Sequence, residues 1–262
     1  MTGGDIQLLT LAQLSEGQDW RLSLIHDMPD HLMLWISRGQ GRVLLHGQRR
    51  GIAMQDFLFV PCGALFSLEL GRQGQGRAVL IPPGRASGPV PLPRHLRIRD
   101  LQAQVALGAL LQDIQREAQE PLPLQDEALQ AHVALLDIWL RRQLLQEEHA
   151  LPRPNAATRL SIRFCTLLAQ HYASGMTMAA YAAQLQVTPT HLTRALKTAT
   201  GRSAAQLLTE RVVHAARSLL ADTSEPAQEI ARRLGFGSAA YFTRFMQQHT
   251  GAPPSKLRLA PG

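Results

Sequence analysis

Cysteine is scarce: Cys62 and Cys165 are the only two in 262 residues, they stand in separate segments, and neither belongs to a CxxC pair. A disulfide framework and a cysteine zinc site are thereby excluded, and both residues are read as reduced, partly buried thiols. Long apolar runs are missing as well. The longest, such as "VALLDIWL", fall far short of the roughly 20 residues that a membrane span needs. The opening "MTGGDIQLLTLAQLSEGQDW" lacks the basic-then-apolar order of a secretory signal. A soluble, cytoplasmic chain with no membrane partner is expected.

Acidic residues are scarce in one part of the chain only. Residues 1–158 hold 15 Lys and Arg against 16 Asp and Glu, a net charge of −1, whereas residues 159–262 hold 12 against 4, a net charge of +8. The length suits two domains, each with its own core. A basic excess confined to one of them is the electrostatic footprint of a module that binds a polyanion.

That basic segment contains a repeat. "AAYAAQLQVTPTHLTRALKTATGRSAAQL" aligns with "AQEIARRLGFGSAAYFTRFMQQHTGAPPSKL" after a one-residue slip, and each copy reads as helix, tight turn, helix. In the first copy Thr177 and Thr188 have the side chains of N-caps, and Pro189 follows at a first helical position, where its missing N–H costs nothing. In the second, Pro226 opens a helix, Gly235 suits a turn of positive φ, and Ser238 is the second cap. Gln186 stands where the other copy has Gly235, so the first turn is expected to be slightly strained or wider.

Small Ala182 and Ala231 suit close helix crossings, with Leu185 and Leu234 facing inward and Val187 and Phe236 plugging the turns. The i, i+4 pairs Leu192 with Leu196 and Phe242 with Met246 give each second helix an apolar stripe. Burying those stripes leaves Thr190, Thr193, Arg194 and Lys197 outward on one helix, and Ala239, Ala240, Thr243 and Arg244 outward on the other. Between the copies, "SAAQLLTERVVHAARSLLAD" reads as one long helix with a Ser203–Gln206 capping box. Its length is comparable to one turn of B-form DNA, so two second helices can enter successive major grooves.

From about residue 160 to 259 the chain resembles the DNA-binding domain of the AraC/XylS family of bacterial transcription regulators. "EIARRLGFGSAAYFTRFMQQHTGAPPSKLR" is similar to that family's signature over nearly its whole length. The resemblance places Thr190, Thr193 and Arg194, and in the second unit Ala239, Ala240 and Arg244, at positions that reach base edges. Arginine suits guanine O6 and N7, whereas alanine does little beyond touching a thymine methyl. The second unit is therefore expected to add mainly phosphate contacts. The expected DNA-binding set is Thr188, Thr190, Thr193, Arg194, Lys197, Ser238, Ala239, Ala240, Thr243 and Arg244.

The first half reads differently. "HLMLWIS", "GRVLLHG", "DFLFVP", "ALFSLELG" and "GRAVLIPP" are short strand-like runs between glycine-containing turns such as "RGQG" and "GRQGQGR". Strands of this length and spacing read as a barrel or sandwich, and their order resembles the small β-barrel called a cupin, the usual sensor domain of the same family. Many cupins are metalloenzymes, but His26, His31 and His46 form no HxH pair, and Ala64, Leu65 and Phe66 follow "FVPCG" where a last metal histidine belongs. No metal, no cofactor and no catalytic residue is expected. An apolar lumen is expected instead, with Trp35, His46, Phe57, Phe59 and Phe66 as candidate lining residues for a small organic effector. If the effector is an aromatic acid, as the resemblance to regulators of aromatic-acid catabolism implies, Arg21, Arg38 or Arg42 would pair with its carboxylate.

Residues 97–149 carry two amphipathic helical patterns, either packing on the barrel or pairing two chains, and the family resemblance favours dimerisation. The expected organisation is an α+β chain: a cupin-like β-barrel sensor over 1–96, a helical dimerisation segment over 97–149, a linker over 150–158 and a double helix-turn-helix over 159–262. The expected function is a sequence-specific transcription regulator, an activator responding to an organic effector, with promoter DNA, RNA polymerase and a second copy of itself as partners. The alternatives are a repressor or ligand-independent regulator of the same architecture, or a cupin enzyme carrying an accessory DNA-binding module.

Overall fold

The computed structural model describes residues 4–71, 73–86, 92–120 and 122–259. Part of the expected "GRQGQGR" turn, residue 72, lies outside them. Among the described residues, two antiparallel sheets make up the first half. One has the order β1 (Gln7–Thr10), β7 (Gln75–Ile81), β2 (His31–Arg38), β5 (Asp56–Val60), β8 (Arg94–Arg97), and the other β4 (Gln48–Ala53), β3 (Gln40–Leu45), β6 (Phe66–Leu70). Two short helices, α1 (Leu11–Leu14) and α2 (Trp20–Ser23), follow β1.

The five runs expected as strands are β2, β3, β5, β6 and β7. Among the described residues the expected closed barrel is not formed: of the named strands, β4 and β6 pair with β3 alone and β8 with β5 alone, Phe66 of β6 adding one isolated bridge to His26. Edge arginines oppose closure: Arg49 and Arg50 on β4, Arg94 and Arg97 on β8. Among the described residues, Leu32, Leu34, Ile36, Val43, Leu45, Leu58, Val60, Phe66 and Leu80 pack into a common core where the lumen was expected.

The outer face of the five-stranded sheet is covered by α3 (Leu101–Gln119) and α4 (Gln125–Leu144). Met33, Phe57, Phe59, Val79 and Leu96 form a second core with Leu107, Leu111, Val133, Leu136 and Trp139. The Trp139 indole N–H donates to the Ala103 carbonyl at 3.1 Å and its ring meets Phe57 edge-on at 5.1 Å. Both helices thus pack on their own sheet, while Leu101 and Val105, four residues apart on α3, stay exposed.

Helix α5 (Ala156–His171) begins inside the stretch expected as linker, capped by the Asn155 side chain. It is followed by α6 (Met178–Gln184), α7 (Pro189–Thr200), α8 (Ala204–Asp222), α9 (Ala227–Arg233), α10 (Ala239–Thr250) and α11 (Pro254–Leu259). Phe164, Tyr181, Leu192 and Leu196 form the core of the α6–α7 pair, and Ile230, Leu234, Phe242 and Met246 that of the α9–α10 pair. Among the described residues no helix is long and apolar enough to cross a membrane, and no group of three metal-ligating side chains converges.

Candidate nucleic-acid interface

Each copy of the repeat folds as a helix-turn-helix with the same turn. Gln186 N–H donates to Ala183 O at 3.0 Å and Val187 N–H to Ala182 O at 3.0 Å, while Gly235 N–H donates to Arg232 O at 3.1 Å and Phe236 N–H to Ala231 O at 2.9 Å. Gln186 adopts φ 59° and Gly235 φ 78°. The first turn is therefore strained rather than wider, since its Cβ occupies the left-handed region that glycine enters freely.

The expected caps are in place. The hydroxyl of Thr188 accepts from His191 N–H at 3.2 Å and that of Ser238 from Tyr241 N–H at 3.1 Å, which satisfies one orphan donor at the start of each second helix. Both helices end at a left-handed glycine, Gly201 and Gly251. The Ser203–Gln206 capping box starts α8, whose 19 residues rise about 28 Å.

Thr190, Arg194 and Lys197 are exposed on α7 and Thr193 is half-buried; together with Pro189 and Thr198 they border one open depression of about 700 Å³. Ala239, Ala240, Thr243 and Arg244 are exposed on α10. The ion pairs of this half engage Arg202, Arg211, Arg232 and Arg233. Arg194, Lys197 and Arg244 form none among the described residues, so their charge faces solvent. The Thr243 hydroxyl donates to its own helix at Ala239 O, 2.9 Å away.

Two neighbours of these faces escaped sequence reasoning. His191 Nδ1 lies 3.3 Å from an Arg194 guanidinium nitrogen, and Tyr241 stands 55% exposed beside Ala240. Tyr241 was legible as an aromatic outside the apolar stripe of its helix.

The residues expected to line an effector lumen are divided among three places. Phe57 and Phe59 alternate with inward Leu58 and Val60, and they point outward under α3 and α4, where Trp35 also packs. Phe66 lies between the sheets, and His46 occupies the β3–β4 turn with φ 48°. Burial depresses protonation of the His46 ring, and the nearby charges of Arg50 and Arg94 add to that effect. Of the arginines considered for an acid, Arg21 is already paired with Asp222 at 2.7 Å and Glu16 at 2.6 Å.

Arg21 is one of several links that dock α8 onto the first half. Arg211 pairs with Asp27 at 2.5 Å and lies over the Tyr172 ring, and Arg202 pairs with Glu69 at 2.5 Å and Glu210 at 2.8 Å. His214 stacks on His26 with ring centres 4.3 Å apart, its Nε2–H donating to Arg21 O at 3.0 Å. Burial lowers the pKa of His26 to about 4 and that of His214 to about 2, with Arg211 acting in the same direction on both. Neither ring is protonated at neutral pH.

A helix-turn-helix domain model matches residues 181–260, spanning the second helix pair and most of the first. Over 125 residues, 47% of the chain, the sequence is 27% identical to the arabinose operon regulatory protein of Salmonella typhimurium. The chain belongs to the AraC/XylS family. That match spans 43% of the arabinose regulator's own length. Among solved structures, the C-terminal domain of AraT, a response regulator from Geobacillus stearothermophilus, is 30% identical, covering 41% of this chain and 88% of that one with a TM-score of 0.37. ToxT from Vibrio cholerae aligns over 98% of this chain and 97% of its own at 12% identity and a TM-score of 0.44. The domain-model match thus falls on the half of the chain that holds the paired helix-turn-helix units.

Proposed function

We propose that the chain is a sequence-specific activator that responds to a small organic effector, reading promoter DNA chiefly through α7. The observation that carries this reading is the open face of α7, where Thr190, Thr193, Arg194 and Lys197 share one depression and neither cation is neutralised by a carboxylate. An arginine held on a helix face bonds guanine bidentately, threonine supplies a hydroxyl and a methyl, and lysine meets phosphate. The α10 face offers Ala239, Ala240 and a Thr243 whose hydroxyl is engaged with its own helix, so Arg244 and the α10 N-terminus at Ser238 serve backbone phosphates.

In this reading residues 1–96 sense the effector, 97–149 join two copies, and 159–262 bind DNA in the cytoplasm and contact RNA polymerase. Exposed Leu101 and Val105 on α3, with Leu135 on α4, supply an apolar face for the homodimer. The regulator reading is favoured over a metal-dependent enzyme by the family assignment and by the dense packing between the sheets. Selection of bound fragments from random and genomic DNA by the full-length protein tests it. A recovered operator with two half-sites about one helical turn apart is the expected result. Salt-sensitive binding without sequence preference would remove it.

A further inference from the structure

The small sheet of the first half meets the end of the reading helix α7 along one row of side chains. Leu44 of β3 lies opposite Arg49 of β4 on one side and Ser67 of β6 on the other, so the three share one face of that sheet. Leu44 is buried in a common core with Leu192, Ala195 and Leu196 of α7, and the Ser67 hydroxyl accepts from an Arg202 guanidinium nitrogen at 3.4 Å. Arg49 stands at the free edge of the sheet and completes the row. Its guanidinium lies at Gly201, the left-handed residue that ends α7, with one terminal nitrogen 2.9 Å from where a Cβ of Gly201 would be.

Gly201 is still placed by the helix, since its N–H donates to Lys197 O at 2.9 Å. It therefore follows Lys197 by one turn on the face that carries Thr190, Arg194 and Lys197. Arg49 extends that row of cations by a further turn, from the other half of the chain. The arginines that dock the halves are neutralised: Arg21 by Glu16 and Asp222, Arg202 by Glu69 and Glu210, Arg211 by Asp27. Arg49 is exposed and forms no ion pair among the described residues. Its charge is left free beside α7 in the same way as those of Arg194 and Lys197.

We infer that Arg49 is a DNA contact supplied by the first half: with α7 in the major groove, its guanidinium meets a backbone phosphate at the C-terminal end of that helix. A reading helix that crosses the groove can bring its C-terminal end against the backbone, as in homeodomains, and the guanidinium fork matches phosphate oxygens. Such a contact fixes position and carries no sequence information. The first half then forms part of the surface that grips the duplex, and a shift of β4 against α7 alters affinity by adding or removing one phosphate contact. The inference rests on the reading of α7 proposed above.

The test is binding of the full-length protein to a random-sequence duplex and to the selected operator, titrated over a series of salt concentrations. Each phosphate contact on B-form DNA contributes about 0.9 to the slope of log affinity against log salt. Arg49→Gln is expected to lower the slope by about that amount and to weaken both duplexes by the same factor. Arg49→Lys keeps the charge and is expected to keep the slope. Arg142→Gln removes an exposed arginine of α4, the helix on the outer face of the five-stranded sheet, and leaves the slope unchanged. An unchanged slope in Arg49→Gln, an equal drop in Arg142→Gln, or a loss confined to the operator would each overturn the inference, the last because Arg49 would then act by positioning α7. Lower stability to urea with an unchanged slope would likewise assign Arg49 to the end of α7 rather than to DNA. Arg194→Ala and Lys197→Ala are scored in the same titrations. If they act and Arg49→Gln does not, this inference alone falls; if only Arg49→Gln acts, the reading of α7 falls and the Arg49 contact stands.

Discussion

Gly235 and Gln186 hold the same position in the two turns, yet exchanging the residue types at these sites is expected to be far from symmetrical. A Cβ built on Gly235 would stand 2.7 Å from Ala173 O and 2.8 Å from Gly175 N, both backbone atoms of the loop that joins α5 to α6. Gly235→Ala therefore combines a left-handed conformation, about 1 kcal/mol for a residue with a Cβ, with a collision that only backbone movement relieves, on the order of 1–3 kcal/mol. The expected loss is about 2–4 kcal/mol. At Gln186, with φ 59°, the side chain is already accommodated. Gln186→Gly relieves the same strain of about 1 kcal/mol and gives most of it back through the greater unfolded-state entropy of glycine, roughly 0.5–1 kcal/mol. The net change is expected within about 0.5 kcal/mol of zero. Urea unfolding followed by far-ultraviolet circular dichroism measures both. A Gly235→Ala loss below about 1 kcal/mol, or a Gln186→Gly gain above it, would refute the assignment of strain and close approach to these turns.

Arg194→Ala should cost roughly 1–3 kcal/mol of operator affinity and relax discrimination at one base pair, whereas Lys197→Ala should weaken all sequences alike and lower the salt slope by about one. Binding titrations against single-base operator variants at several salt concentrations separate the two, and equal behaviour would sink that division of labour. Asp27→Asn leaves the Arg211 guanidinium buried beside a neutral amide. Because that pair is largely buried, the folded state should lose about 2–4 kcal/mol, read by denaturant unfolding; a loss under about 0.5 kcal/mol would show that the pair does not hold the halves together. His26 and His214 are neutral in the fold and take up protons on unfolding, their folded pKa values of about 4 and about 2 lying below the ordinary 6.5. The stability they contribute is fully present above pH 6.5 and is lost as pH falls from there toward 4, by roughly 3 kcal/mol for His26 alone. Asp27, Arg21 and Arg211 are the charged groups that face the two rings. Unfolding free energies at pH 7.5, 6 and 5 should fall in that order, and a flat profile would refute the pairing.

The legible parts of the fold were those written in local chemistry. Thr188 with Pro189, Ser238, and Ser203 with Gln206 mark helix starts through their own side chains, and each marks the start that the structure shows. The central strands were legible from β-branched and aromatic content, but β1, β4 and β8 were not. "QRRGIA" and "RHLR" carry the charges that edge strands use against mispairing, and so they read as loop. The side to which Phe57 and Phe59 point was not legible either. Alternation in "DFLFV" separates two faces, but α3 and α4 bury the outer face as fully as the opposing sheet buries the inner one, so both faces are apolar and the pattern has no sign. The charge around His46 depends on strands more than 40 positions apart in the chain, which no local window brings together.

The docked α8 sets the conditions under which the two reading units can act together. Arg202 follows the C-cap glycine of α7 and is held by Glu69 of β6, while Arg211, His214 and Asp222 farther along α8 meet Asp27, His26 and Arg21. The unit whose face offers Arg194 and Lys197 thus ends on the first half, whereas α10 begins one helix, α9, beyond the last of these contacts. A change in the first half meets α7 directly, at Arg202 and where β4 packs against the helix, whereas α10 lies beyond α8 and α9. If the second unit mainly grips phosphate, its tolerance of position suits it to that distant place, because a phosphate contact survives small shifts that a bidentate base contact does not. In the proposed reading, the unequal chemistry of the two faces and the unequal docking of the two units are the same division of labour, with sequence read where the first half holds the helix and affinity supplied where it does not.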